Sequence, residues 1–201
     1  FVFESGGRLY RQINHRGRDD FDRLIASGLY QELAADGLLI PHRDAPPEVA
    51  AEAGAYRVIE PERVPFISYP YEWSFSQLRD AARLTLAIQR RALARDLALK
   101  DASPYNVQFR GSRPVFIDTL SFEAYREGEP WVAYQQFCRS FLAPLALMSL
   151  AYVRLGRLLR ADLGGIPLDL AARLLPARSR LRPSLLIHLH LHARLQRGAA
   201  S

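Results

Sequence analysis

The hydrophobic and polar positions along the chain fall into two regimes. Alternation dominates the first 70 residues, and helical periodicity dominates the rest. "FVFESGGRLYRQIN" alternates on both sides of Gly6-Gly7, a dipeptide suited to a tight turn, and predicts a hairpin. Residues 19–36 carry helical spacing and are stopped by Gly37, with Gly28 as an internal weak point. "LLIPH" predicts a short strand, residues 43–55 a Pro- and Ala-rich loop, and residues 56–70 two more strands broken by Pro61 and Pro65. Residues 74–97 then predict one long helix, opened by a Ser74/Gln77 capping box, with an apolar stripe of Leu78, Ala82, Leu86, Leu93 and Leu97. Val107-Gln108-Phe109 and Val115-Phe116-Ile117 predict a second hairpin around a "RGSRP" loop. Residues 131–165 predict one or two helices broken near Pro144, and "PLDLAARLLP" and "RPSLLIHLHLHARLQR" two more.

The expected organisation is a small β-rich lobe over residues 1–68, a connector at 69–73, and a helical lobe over 74–201. With 201 residues the chain is long enough for two small lobes with a real core. It opens at Phe1 inside a strand-like run, so a fragment of a longer protein is expected.

Charge changes the picture little. The net charge is +6, and all of the 27 basic residues but Lys100 are arginine, a bias expected of a GC-rich coding genome. The arginines are spread along helices, and no zinc-knuckle, helix-turn-helix or aromatic-basic signature accompanies them, so no nucleic-acid partner is expected. Cys138, the only cysteine, excludes an intrachain disulfide or a Cys-based zinc site and reads as a buried, inert thiol. The apolar run 141–153 is too short for a membrane span and reads as a core helix. No signal peptide is visible, and a cytoplasmic location is expected.

Candidate chemistry concentrates in "LKDASPYNVQFRGSRPVFIDTLSFE". Folding the hairpin places Asn106 and Asp118 side by side at its open end. An amide oxygen beside a carboxylate is a hard-oxygen pair of the kind Mg²⁺ prefers, with water and substrate phosphate completing the shell. Asp101, five residues earlier in a D-x-x-P-x-N loop, is aimed at the adjacent space, where a carboxylate can accept a hydroxyl proton. Each residue also has a structural reading: Asp101 as a helix-ending acid, Asn106 as a turn former, Asp118 as a cap on the next turn. His188, His190 and His192 read as a solvated or packed face before a metal site. Tyr69, Tyr71, Trp73, Phe75, Trp131 and Tyr134 read as core.

"KDASPYN" followed by "VFID" resembles the catalytic loop and metal-binding turn of the protein kinase and aminoglycoside phosphotransferase superfamily. The resemblance implies an α+β, two-lobed protein-kinase-like fold that binds Mg²⁺ and ATP. It assigns Asp101 as the catalytic aspartate and Asn106 and Asp118 as the metal ligands. It makes Glu32 the ion-pairing acid of the small-lobe helix, and Ser68, Tyr69 and Tyr71 part of an adenine-contacting hinge. The strand lysine of that superfamily is absent, leaving Arg8 or Arg11 as its only stand-ins, and there is no Gly-rich phosphate loop. Leu99 replaces the histidine before the loop, and Thr119-Leu120 replaces Phe-Gly after the metal aspartate.

"VPFISYPYEWSFSQLRDAA", "LKDASPYN" and "PVFIDTLSFE" together resemble the N-terminal part of bacterial class I S-adenosylmethionine-dependent methyltransferases. That resemblance implies a downstream methyltransferase domain as the holder of S-adenosylmethionine, since this chain has no strand followed by a Gly-rich turn and helix. Two functions follow as expectations. One is nucleotide-dependent phosphotransfer to an unnamed acceptor, or degenerate nucleotide binding. The other is a non-catalytic module that positions a substrate or partner for the methyltransferase domain.

Overall fold

The computed structural model describes residues 1–199. It is a mixed α+β protein with small antiparallel sheets that divides into two compact units. The first gathers Phe1–Ile67, Leu84–Lys100 and Asn106–Trp131; the second gathers Ser68–Arg83, Asp101–Tyr105 and Val132–Ser201.

The first unit is built on a four-stranded antiparallel sheet in the order β1-β2-β4-β3, formed by β1 (Val2–Ser5), β2 (Arg8–Asn14), β3 (His42–Asp44) and β4 (Ala55–Pro61). The β1–β2 hairpin turns at Gly6 and Gly7, whose φ angles of 57° and 74° are open to glycine and costly for other residues. Only one strand forms between residues 55 and 69, and the expected "LLIPH" strand is replaced by β3, which begins at its last residue, His42. Leu39 makes only an isolated parallel bridge to Phe116. The expected 43–55 loop keeps a single 3₁₀ turn, Pro47–Val49, between strands that enter it at both ends.

The helix expected over 19–36 is two helices, α1 (Arg18–Ala26) and α2 (Leu29–Ala35). Gly28 at φ 73° separates them, and Ser27 closes α1 by donating its hydroxyl to the Leu24 carbonyl and accepting the Leu29 N–H. A left-handed residue cannot continue a right-handed helix, so the glycine that weakened the pattern ends it. α1 buries Phe21 against Ile13 and Ile59, with Ile25, Tyr56 and Leu120 around them.

The long helix α3 (Phe75–Leu93) opens with the expected capping box: Ser74 N–H donates to Gln77 Oε1 at 2.9 Å, and Gln77 N–H to Ser74 Oγ at 3.3 Å. Its buried face is not the leucine stripe. Leu78, Ala82, Thr85, Gln89 and Ala92 are buried, whereas Leu86 and Leu93 are 45% and 40% exposed. At 3.6 residues per turn, positions 86 and 93 lie about 80° and 60° round from Leu78, at the rim of that face. Leu97 belongs to β5 (Leu97–Leu99), which pairs with β8 (Phe122–Ala124). Between them β6 (Val107–Arg110) and β7 (Arg113–Phe116) form the second hairpin around Gly111-Ser112, a tighter turn than the five-residue loop expected.

In the second unit Pro144 does not break the helix. α4 (Tyr134–Phe137) runs through a π-helical stretch, Cys138–Leu142, into α5 (Ala143–Leu150). Placing proline at the junction of a widened turn leaves its missing N–H harmless. The break comes at Ala151-Tyr152 instead, before a 3₁₀ stretch Val153–Arg157 and α6 (Leu158–Ala161). α7 (Leu168–Leu174) and α8 (Pro183–Leu185) follow, and a second π stretch, Leu186–Leu191, leads into α9 (His192–Ala199). Cys138 is buried as expected, and burial pushes its thiol pKa up. Among the described residues no helix is long and apolar enough to cross a membrane.

Candidate functional site

Strand β2 places Leu9, Arg11 and Ile13 on one face by the two-residue period of a strand. Ile13 goes under α1, and Leu9 and Arg11 are left lining a cavity of about 320 Å³. The far wall is the open end of the β6–β7 hairpin. The segment after α2 docks against β7 through Phe116 N–H to Leu38 O (2.9 Å) and Ile40 N–H to Phe116 O (2.8 Å). The Ile117 N–H to Asn106 O bond (2.8 Å) continues the ladder one step past the strands. The result is Arg11, Asn106 and Asp118 on one cavity, whose remaining walls are largely apolar: Val2, Ile40, Ile59, Val64, Ile67 and Ile117.

Asp118 is not free in this cavity. Arg11 Nη2 lies 2.5 Å from Asp118 Oδ1, with both side chains about four-fifths buried, and the same oxygen accepts the Leu120 N–H at 2.8 Å. Asn106 donates its amide to Ser121 Oγ at 3.1 Å, leaving its oxygen for another partner. Three polar atoms of the lining residues are buried with no hydrogen-bond partner: Arg11 Nε, His42 Nδ1 and Thr119 Oγ1. Buried polar atoms are rarely left unpaired, and these three are buried from the cavity itself, so a ligand reaches them only if their side chains turn. His42 is neutral there, because burial pulls its pKa down to about 4. Its ring packs against Tyr30 (4.3 Å between centroids), whose hydroxyl accepts the His42 backbone N–H.

Mg²⁺ meets a specific obstacle in this arrangement. Asn106 and Asp118 supply two hard oxygens, but the single carboxylate is already matched by a guanidinium. A dication beside Arg11 would need phosphate charge from a ligand to offset it. Among the described residues no three His, Cys, Asp or Glu side chains cluster as a metal site.

The other candidates lie elsewhere. Glu32 is on the first unit but outside the cavity, held by Arg91 (3.1 Å) and by Arg95 rather than by a β2 arginine. Arg8 instead joins Arg43 on Glu60, whose carboxyl is drawn down to about 2 by hydrogen bonds from Arg43 and Arg8. Asp101 belongs to the second unit. Its Oδ1 accepts the Ser103 N–H and the Gln136 side-chain amide, both at 2.8 Å, and Gln136 Oε1 accepts the Ala102 N–H at 2.7 Å. The 101–103 loop is therefore clamped by Gln136. Ser68 Oγ accepts the Trp73 indole N–H at 2.8 Å, Tyr69 N–H donates to Glu72, and the Tyr69 and Tyr71 rings stack 5.5 Å apart. Trp73 is buried, while Tyr69 is exposed and not core. The three histidines are packed: His188 on the Tyr134 hydroxyl, His192 stacked on the Tyr134 ring, and His190 on Ser179 Oγ.

Sequence reasoning missed three of the residues that shape these sites. His42 and Thr119 carry no motif, and Gln136 reaches its loop only through tertiary packing. The structural reading of Asp118 as a cap on the next turn is realised, whereas Asp101 ends no helix: it follows β5 and closes a turn of its own by accepting the Ser103 N–H.

No family model matches this chain. It is 36% identical over 202 residues to nodulation protein NoeA of Rhizobium meliloti (strain 1021), a match that covers all of this chain and 42% of the relative. The chain thus spans less than half the length of the curated relative it matches.

Proposed function

We propose that this chain is a ligand-positioning module with a protein-kinase-like folding pattern, serving a catalytic domain carried elsewhere in a longer protein. The observation that carries this reading is the Arg11–Asp118 pair. The carboxylate that would bind a metal is engaged by an internal cation and by a turn N–H, beside a largely apolar cavity. Such a site suits holding a ligand better than neutralising a transferring phosphoryl group. The match to 42% of a longer relative supports a partner domain, and the sequence resemblance points to an S-adenosylmethionine-dependent methyltransferase there. The order of small sheet with inserted helices, long helix, and loop-hairpin supports the kinase-like pattern.

The convergence of Asn106 and Asp118 on one cavity favours a second reading, MgATP binding, in which Arg11 turns from Asp118 to the nucleotide phosphates. One pair of measurements separates the two. In the longer protein, methyl transfer from labelled S-adenosylmethionine is followed for wild type and Arg11→Ala. The positioning reading expects KM for the acceptor to rise about tenfold, roughly one lost charged contact, with kcat kept. In this chain, millimolar MgATP is expected to leave the Tm unchanged. A MgATP-dependent Tm rise that Asp118→Ala abolishes replaces the first reading by the second.

A further inference from the structure

The positive charge of the chain is not evenly distributed. Residues 132–201 hold ten arginines against two aspartates, a net +8, while residues 1–131 carry a net −2. In the first unit most arginines meet carboxylates, among them Arg8 and Arg43 on Glu60, Arg11 on Asp118, and Arg91 and Arg95 on Glu32. In the second unit Arg173, Arg180 and Arg194 line one cavity of about 510 Å³, and none of them forms an ion pair with a carboxylate among the described residues.

We propose that this cavity binds an amphipathic anion, a phosphate monoester group attached to an apolar body. Three unpaired guanidiniums on one concave surface repel one another. A phosphate dianion offers each of them the planar, two-point partner that guanidinium geometry fits. The remaining walls include Ala172, Leu175, Leu186 and Leu191, which a bare ion would leave uncovered. Asp169 also faces the cavity. Its carboxylate opposes the charge of either phosphate, so the preference for an ester over the free ion rests on the apolar walls. His190 adds no charge, because burial and Arg180 lower its pKa and its Nε2 is tied to Ser179 Oγ at 2.8 Å. Leu181 and Leu195, next in sequence to Arg180 and Arg194, are strongly exposed, so a dissolved alkyl phosphate and an anionic lipid headgroup present the same chemistry here.

The test titrates the intact chain with octyl phosphate below its micelle concentration, inorganic phosphate, octyl glucoside, and phosphatidylcholine vesicles with about a fifth phosphatidic acid. Calorimetry reads the soluble ligands and sedimentation the vesicles. Octyl phosphate is expected to bind about tenfold tighter than phosphate, and octyl glucoside not at all. Arg180→Gln and Arg194→Gln should each weaken octyl phosphate about five- to tenfold, the scale of one charge-assisted contact, while Arg160→Gln, which removes the same charge outside the cavity, changes it less than about twofold. If vesicle binding is also lost with Arg180→Gln, the headgroup is one source of the ligand. An Arg160→Gln effect equal to that of Arg180→Gln overturns the proposal. So does octyl phosphate binding no tighter than phosphate, or vesicle binding that survives both cavity variants.

Discussion

Replacing Asp118 by asparagine tests the central feature of the first unit. The substitution keeps an oxygen for the Leu120 N–H and removes only the charge that faces Arg11. Exposed pairs contribute about 0–1 kcal/mol, and removing one partner of a fully buried pair costs about 3–5 kcal/mol. With side-chain exposures of 17% and 19%, the Arg11–Asp118 pair sits between these limits. Asp118→Asn should therefore cost about 2 kcal/mol, a Tm decrease of roughly 4–8 °C for a chain of this size. Asp118→Ala also deletes the acceptor of the turn and should cost about 1 kcal/mol more. Arg11→Met keeps the apolar stem and loses the charge. Combined with Asp118→Asn, it should fall short of the sum of the single effects by about 1 kcal/mol or more, because the two variants break the same contact. Urea denaturation measures the four variants against wild type, with unchanged slopes showing that the unfolded states are comparable. A loss below about 0.5 kcal/mol for Asp118→Asn, or strict additivity in the double variant, would refute the claim that this pair organises the cavity.

Three further outcomes follow from particular groups. The His42 pKa is lowered by burial from 6.5 to about 4, so its neutral form is the folded form. Stability should fall as the pH drops through that window, and His42→Gln should flatten the decline in a pH series of urea midpoints. Glu60 is depressed from 4.5 to about 2 by Arg43 and Arg8. Its contribution is present above pH 4.5 and lost as the pH falls toward 2; a carbon-13 titration of its carboxyl that gives an ordinary value would remove that contribution. Gly165→Ala should destabilise far more than Gly37→Ala. Both glycines have positive φ, but an added Cβ at Gly165 falls 2.6 Å from Ser140 Oγ and 2.8 Å from the Arg139 backbone, whereas at Gly37 it meets nothing within 4 Å. Tm values for the two variants measure the difference directly.

The sequence by itself determined the features that depend on neighbours along the chain. Gly6-Gly7 specifies the first hairpin because only a left-handed turn closes it at that length, and Ser74 with Gln77 starts α3 because both partners lie within one turn. The hairpin that brings Asn106 and Asp118 to one end was legible for the same reason, and so was the turn that Asp118 closes. Tertiary structure alone decided what those side chains meet. Arg11 and Asp118 are separated by 107 positions, and nothing local couples them; they pair because β2 and the hairpin share a cavity. Glu32 meets Arg91 and Arg95 because the α2 face that carries it packs toward α3, and a reading that made it an ion-pairing acid could not name those partners. The buried face of α3 takes in Thr85 and Gln89 beside Leu78, Leu84 and Ile88, since Gln89 satisfies the Leu99 N–H at 2.7 Å and a polar residue with a partner can be buried. Composition shows which residues prefer the interior, but pairing energies arise only between groups that the fold has already brought together.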